Sequence, residues 1–149
     1  MKLKLLFVII LFECVNSFAQ IKTVNYAQTE IEVPKNYSAE SEYEVKSDNF
    51  SAQWIYLSGE MFSNNMQLDI LKQFEGQLKP DEISEVKFLS NGAKFTGKKL
   101  MLKKSELKYR IIAYGIVNKQ PLVLNLGFKN EPIQNSDFDD FIIKFIRFE

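Results

Sequence analysis

Carboxylates, lysines and aromatic rings are the only side chains in this 149-residue chain placed to do chemistry, because it contains no histidine and a single cysteine, Cys14. A Ser-His-Asp or Cys-His arrangement is therefore excluded, and a metal site would have to be built from oxygen donors. Glycoside hydrolysis needs only two carboxylates about 5–10 Å apart. By residue type, Glu30, Glu32, Glu60, Asp69 and Asp139 qualify, as solvated surface charges also would. Asp137, Asp139 and Asp140 form an acidic group that fits either a calcium site or the first turn of a helix, where the dipole favours negative charge. No P-loop or EF-hand spacing is present, and Gly92 to Gly97 lacks the strand-to-helix context of a dinucleotide or phosphate loop. The sequence calls for no cofactor and assigns no catalytic residue.

One stretch is strongly basic. Lys94, Lys98, Lys99, Lys103, Lys104, Lys108 and Arg110 are opposed only by Glu106, a local charge of +6. Such a ribbon can meet an anionic envelope component or an acidic partner protein through salt-sensitive contacts, or can guard exposed strand edges against aggregation. The stretch from Glu30 to Asp48 is acidic instead, so the chain is electrically two-sided. Trp54 and Tyr56, at alternating positions, can form a stacking platform for a small ligand or glycan, or can belong to the core. Asn36-Tyr37-Ser38 and Asn49-Phe50-Ser51 match the glycosylation sequon, which matters only in a host with that machinery.

Met1 to Ala19 reads as a secretory signal peptide. Lys2 and Lys4 supply the charged start, Leu5 to Phe12 the apolar run, and Ser17-Phe18-Ala19 the small-x-small cleavage site. The run is far shorter than the roughly 20 residues that span a bilayer, so no transmembrane helix is expected in the mature chain. Cys14 sits where a lipoprotein cysteine would, but Leu11-Phe12-Glu13 places bulky and charged residues before it. Cleavage after Ala19 leaves Gln20 to Glu149, a periplasmic or secreted product without cysteine. Removing Lys2, Lys4 and Glu13 from 19 basic and 19 acidic residues leaves 17 against 18, a net charge of −1. That balance gives no general attraction to nucleic acid. With no disulfide available, burial of apolar side chains must supply the stability.

Gln20 to Glu149 has the length of one domain and shows no repeat, linker or low-complexity tract. Alternation predicts short strands at Lys22 to Tyr26 and Glu30 to Val33, the second ended by Pro34, and a strand rich in aromatics over Phe50 to Leu57. Between Asn64 and Leu78 the period changes. Met66, Ile70, Leu71, Phe74 and Leu78 fall within about 140° of helical arc, with Ser63 or Asn64 as cap and Pro80 beyond the end. Short strands follow at Val86 to Leu89, Ala93 to Thr96 and Leu100 to Leu102, the first two joined by a turn at Ser90-Asn91-Gly92. Tyr109 to Val117 is apolar on both faces and belongs in the middle of a sheet. It leads through Asn118-Lys119-Gln120 into Leu122 to Phe128. Ser136 and Asp139 resemble a capping box ahead of Phe138, Phe141, Ile142 and Phe145, which recur at helical spacing. The expected architecture is α+β: a mainly antiparallel sheet carrying one amphipathic helix and a C-terminal helix.

Ile31-Glu32-Val33-Pro34-Lys35-Asn36-Tyr37 resembles the apolar-x-Val-Pro-x-x-aromatic opening of the Mog1/PsbP-like superfamily. Phe141-Ile142-Ile143-Lys144-Phe145-Ile146-Arg147-Phe148 is similar to that superfamily's terminal helix, and Tyr109 to Phe128 falls where its central strands lie. The likeness covers Thr29 to Phe148. It implies an α/β/α sandwich of a kind used by adaptors, photosynthetic lumen subunits, secretion chaperones and envelope lipoproteins, mostly non-catalytic and with no shared active-site motif. The expectation is an exported, non-catalytic domain that binds an envelope protein or component. The alternatives are a small-ligand or glycan carrier and a carboxylate-dependent glycan hydrolase. Protein recovered from an exporting host is expected to begin at Gln20 by N-terminal sequencing; exported material that retains Met1 would refute the signal reading.

Overall fold

The computed structural model describes residues 22–149. The signal sequence Met1 to Ala19, with Cys14, lies outside the described residues. Seven strands form one antiparallel sheet: β3 (Ser38–Ser41), β4 (Glu44–Lys46), β5 (Phe50–Tyr56), β6 (Glu82–Ser90), β7 (Ala93–Met101), β8 (Tyr109–Val117) and β9 (Gln120–Phe128). Their spatial order is β3-β4-β5-β9-β8-β7-β6, and a separate hairpin of β1 (Thr23–Tyr26) and β2 (Thr29–Glu32) packs on one face. The other face carries the short α1 (Gly59–Ser63) and the longer α2 (Met66–Leu78). The α+β expectation with a mainly antiparallel sheet is met.

Side chains alternate across each strand, so the sheet divides its residues between two clusters. On the hairpin side, Phe50, Ala52, Trp54, Phe95, Ile111, Ala113, Leu122, Leu124 and Leu126 bury against Val24, Tyr26 and Ile31 of the hairpin and Phe141, Phe145 and Ile146 of the C-terminal segment. On the helix side, Leu57, Leu100, Ile112 and Val123 bury with Leu71 of α2 and are flanked by Phe62, Phe74, Leu78 and Tyr114. Strand β9 sits fourth of seven, and its residues Leu122 to Phe128 are all buried, which explains why the β8–β9 pair is apolar on both faces.

Five sequence expectations need correction. The C-terminal helix does not form: the segment makes two 3₁₀ turns, Asn135–Asp137 and Ile142–Lys144. Its β-branched and aromatic residues favour a helix little. The backbone must also straighten by Arg147, which exchanges two 2.8 Å hydrogen bonds with Leu89 at the edge of β6. The reciprocal capping box pairs Gln134 with Asp137 rather than Ser136 with Asp139. Helix α2 starts one residue after Asn65, whose αL backbone makes no side-chain cap, so neither Ser63 nor Asn64 caps it. Its first buried residue is Gln67, while Met66 faces solvent. The short strands foreseen at Ala93 to Thr96 and Leu100 to Leu102 are one continuous β7. It passes so close to β8 at Gly97 that a Cβ there would lie 2.1 Å from the Ile112 carbonyl oxygen.

Three two-residue hairpins, at Ala27–Gln28, Asn91–Gly92 and Asn118–Lys119, have positive φ at both central residues, the signature of type I′ turns. They meet at one end of the molecule, where Asn118 Nδ2 donates to the Ala27 carbonyl (2.7 Å) and Asn91 Nδ2 to Thr29 Oγ1 (2.9 Å). Lys119, exposed and held at φ 64°, bears the left-handed penalty of roughly 1–2 kcal/mol without a compensating contact. Glycine would remove that strain but cost roughly 0.5–1 kcal/mol of chain entropy. Lys119→Gly is therefore expected to raise stability by about 0.5–1 kcal/mol in urea melts; a loss of stability would show that the lysine side chain is needed.

Candidate functional site

A concavity rich in carboxylates lies at the end of the sheet opposite the type I′ turns, a cleft of about 610 Å³. Four chain segments build it. The β2–β3 loop brings Asn36 and Tyr37, the β4–β5 loop Asp48 and Asn49, the exit of β9 Asn130 and Glu131, and the C-terminal segment Asp137, Phe138 and Asp139. Because β4, β5 and β9 are neighbours, their loops emerge side by side, and the C-terminal segment closes the wall through Phe138 and Ile142.

Two carboxylates of this cleft are fixed acceptors. Asp139 Oδ1 accepts the backbone N–H groups of Phe141 (3.0 Å) and Ile142 (2.8 Å), while its Oδ2 accepts the Tyr37 hydroxyl at 2.6 Å. Asp137 Oδ2 accepts the backbone N–H groups of Ile133 (3.1 Å) and Gln134 (3.0 Å). These donors hold the Asp137 carboxyl below its ordinary value. Tyr37 is shifted the other way: burial first, then its bond to Asp139, pushes the phenol well above the usual tyrosine range. The hydroxyl therefore remains a donor. Glu131 pairs with Lys99, which leaves Asp48, Asp137 and Asp139 without a cationic partner among the described residues. Asp137, whose carboxyl is held low, suits binding of a cation or hydroxyl donor and is poorly placed to act as a general acid, which needs a raised pKa.

Residues singled out by the sequence are distributed differently. Asp137 and Asp139 share the cleft wall, whereas Asp140 is not among its lining residues, and both sequon asparagines, Asn36 and Asn49, stand at its rim. Glu30 and Glu32 lie on β2, Glu60 on α1 and Asp69 on α2, away from the cleft. Among the described residues no three acidic, histidine or cysteine side chains are grouped closely enough to hold a metal ion.

Trp54 is a core residue: it is 2 % exposed and packs edge-on to Tyr26 (5.3 Å) and stacked on Phe145 (5.8 Å). Tyr56 ties the first hairpin down, its hydroxyl accepting from Ala27 N–H (2.8 Å) and donating to the Asn25 carbonyl (3.1 Å). Tyr56 also borders a shallower hollow of about 400 Å³ with Tyr43, Glu30 and Glu42, which Trp54 does not line.

The basic stretch does not form one surface. Strand alternation sends Lys94 and Lys98 to the helix side and Lys99 to the hairpin side, while Lys103, Lys104 and Lys108 occupy the exposed loop before β8. Lys98 is bound by Glu85 (3.2 Å) and Glu75 (3.8 Å), which raise its pKa. Arg110 is half-buried on the helix side, and its Nη1 reaches Asn125 Oδ1 at 3.4 Å while its Nε has no partner. Burial lowers the Arg110 pKa, against the opposing field of Glu44.

Comparison with known protein families, curated proteins and solved structures finds no match for this chain. The sequence did not single out Tyr37, Asp48, Asn130 or Glu131 as site residues; only the order β4-β5-β9 brings them together.

A carboxyl whose pKa is lowered by folding stabilises the native state fully above its unfolded value. That contribution fades as pH falls through the folded value. For Asp137 the loss begins below about pH 4. Asp137→Asn, which keeps an acceptor oxygen but cannot titrate, is expected to make the fall in urea midpoint between pH 5 and pH 2 shallower than in the parent. Superimposable acid limbs would show that the two backbone bonds contribute nothing through ionisation.

Proposed function

We propose that the chain is an exported, non-catalytic binding domain whose cleft holds a cationic group on an envelope component, first a lysine- or arginine-bearing segment of a partner protein. The observation that carries this reading is the state of Asp137 and Asp139. Backbone N–H groups orient both carboxylates as acceptors, Tyr37 adds a third donor to Asp139, and Asp48 lines the same open cleft. Three unpaired carboxylates attract a cation and repel an anionic ligand. Export is supported by the charged start, apolar run and small-x-small site of Met1 to Ala19. Among the described residues no helix is long and apolar enough to cross a membrane.

The Mog1/PsbP-like likeness is kept as part of this proposal. An antiparallel sheet with α1 and α2 packed on it supports it, while the absence, among the described residues, of an α-helix on the hairpin face and the 3₁₀ turns in place of a terminal helix count against it. A glycan occupant is the second reading, favoured by the amides of Asn36, Asn49 and Asn130 along the same rim.

Labelled protein titrated with a lysine-rich peptide, its glutamate counterpart and chitotetraose separates these readings. The lysine peptide is expected to move the amide resonances of Asn49, Asn130 and Asp137, and Asp48→Asn is expected to weaken it about three- to tenfold, as for loss of one partly exposed charge contact. Exclusive response to chitotetraose would replace the cationic ligand by a glycan, and cleavage of that sugar would overturn the non-catalytic reading. Silence towards all three probes would refute the cleft as the binding site.

A further inference from the structure

A second surface, on the helix side and built from different residues, has the opposite character. Helices α1 and α2 cover the middle of the sheet but leave the β6–β7–β8 corner open as a groove of about 630 Å³. Strand alternation places Lys87 and Thr96 in one cross-strand row with Tyr114, and Lys94 in the next row with Ile116. Phe62 of α1 forms a wall, its ring 6.2 Å from that of Tyr114 and inclined 66° to it. Ile116 is 48 % exposed in the floor. An uncovered β-branched side chain beside two aromatic rings is the composition of a protein contact rather than of a solvated sheet face.

The charges at this corner name the occupant. Lys87 and Lys94 flank the apolar floor and form no ion pair among the described residues, in contrast to Lys98 and Lys99 on the same sheet. Glu149 reaches the far side because the Leu89–Arg147 bridge carries the last residues along β6, yet it pairs with neither lysine. An acidic residue brought in on an extended segment is thus already compatible with the groove, and both lysines are left for carboxylates of an occupant.

We propose that this groove docks a short acidic, amphipathic segment of a protein partner, with an apolar side chain on Ile116, Tyr114 and Phe62 and carboxylates on Lys87 and Lys94. The site is independent of the acidic cleft, which shares none of these residues.

The test uses two labelled twelve-residue peptides, each with leucine and phenylalanine anchors, one carrying four glutamates and the other four lysines. Anisotropy titrations at low salt are expected to show binding of the acidic peptide with Kd on the order of 10–100 μM, weakening as salt rises. Lys87→Glu with Lys94→Glu is expected to weaken the acidic peptide at least tenfold and to confer binding of the lysine peptide at the same corner, seen as shifts of Thr96 and Ile116 amides. Ile116→Ser is expected to weaken the acidic peptide about fivefold. All three positions are at least partly exposed, and the melting temperature of each variant verifies folding. Binding of the acidic peptide that the double reversal leaves unchanged, or no binding at all, would overturn the proposal. So would a concentration-dependent dimer abolished by Ile116→Ser, because the occupant would then be a second copy of this chain, whose Glu82, Ile83 and Glu85 carry similar chemistry. The Asp48→Asn variant is expected to bind the acidic peptide at least as tightly as the parent, which separates failure of this site from failure of the cleft.

Discussion

Phe145 is where the separate pieces of this molecule are joined. It is fully buried and its ring lies 5.2 Å from Tyr26 of the first hairpin, 5.8 Å from Trp54 of the sheet and 5.5 Å from Phe141 of its own segment. The hairpin β1–β2 shares no ladder with the seven-stranded sheet, and the C-terminal segment shares only the bridge at Leu89. Both are therefore held by apolar burial, by the Tyr26–Ser90 hydrogen bond of 2.8 Å and by the turn contacts of Tyr56 and Asn118. Aromatic contacts of this kind add about 0.5–1.5 kcal/mol per pair beyond the area they bury. A described chain with no cysteine depends on that sum, and so do both surfaces: the segment docked by Phe145 supplies Asp137 and Asp139 to the cleft and Glu149 to the groove.

What could be seen in the sequence was whatever follows a period. Strands β5, β8 and β9 and helix α2 were legible because alternation or a 3.6-residue repeat continued for seven residues or more. Strands β3 and β4 were not, since Ser38–Ser41 and Glu44–Lys46 are three or four mostly polar residues on a sheet edge, where little burial imposes a pattern. The C-terminal residues have helical spacing because Phe138, Phe141, Ile142 and Phe145 all turn inward, but consecutive short turns meet the same requirement without a helix. The cleft was least legible. Asn36, Asp48, Glu131 and Asp139 are far apart in the chain, and none has a local signature that announces its neighbours. For the lysines the error ran the other way, because closeness in sequence is not closeness in space on a strand: Lys98 and Lys99 leave opposite faces, each to a different acid.

Helix length explains why the sheet has two unlike corners. Thirteen residues of α2 extend about 20 Å, whereas seven strands spaced by about 4.8 Å are roughly 29 Å across. One helix with a single-turn companion cannot cover such a face, and the strands at either side lack a helix above them. At the β4–β5 side the positions are Ser51, Gln53 and Asn125 with Arg110; Ser51 and Asn125 are buried, and a Cβ at Gly127 would lie 2.8 Å from Leu107 Cδ1 and 3.2 Å from Arg110 Nη1. That corner is closed by its own side chains. At the β6 side the corresponding positions are Thr96, Tyr114 and Ile116, of which the exposed Ile116 side chain gains nothing from water, and they stand between two lysines with no ion-pair partner among the described residues. The same shortage of helical cover is thus closed over by side chains on one side and left as a groove on the other. The difference lies in the chemistry of a few cross-strand residues rather than in the fold.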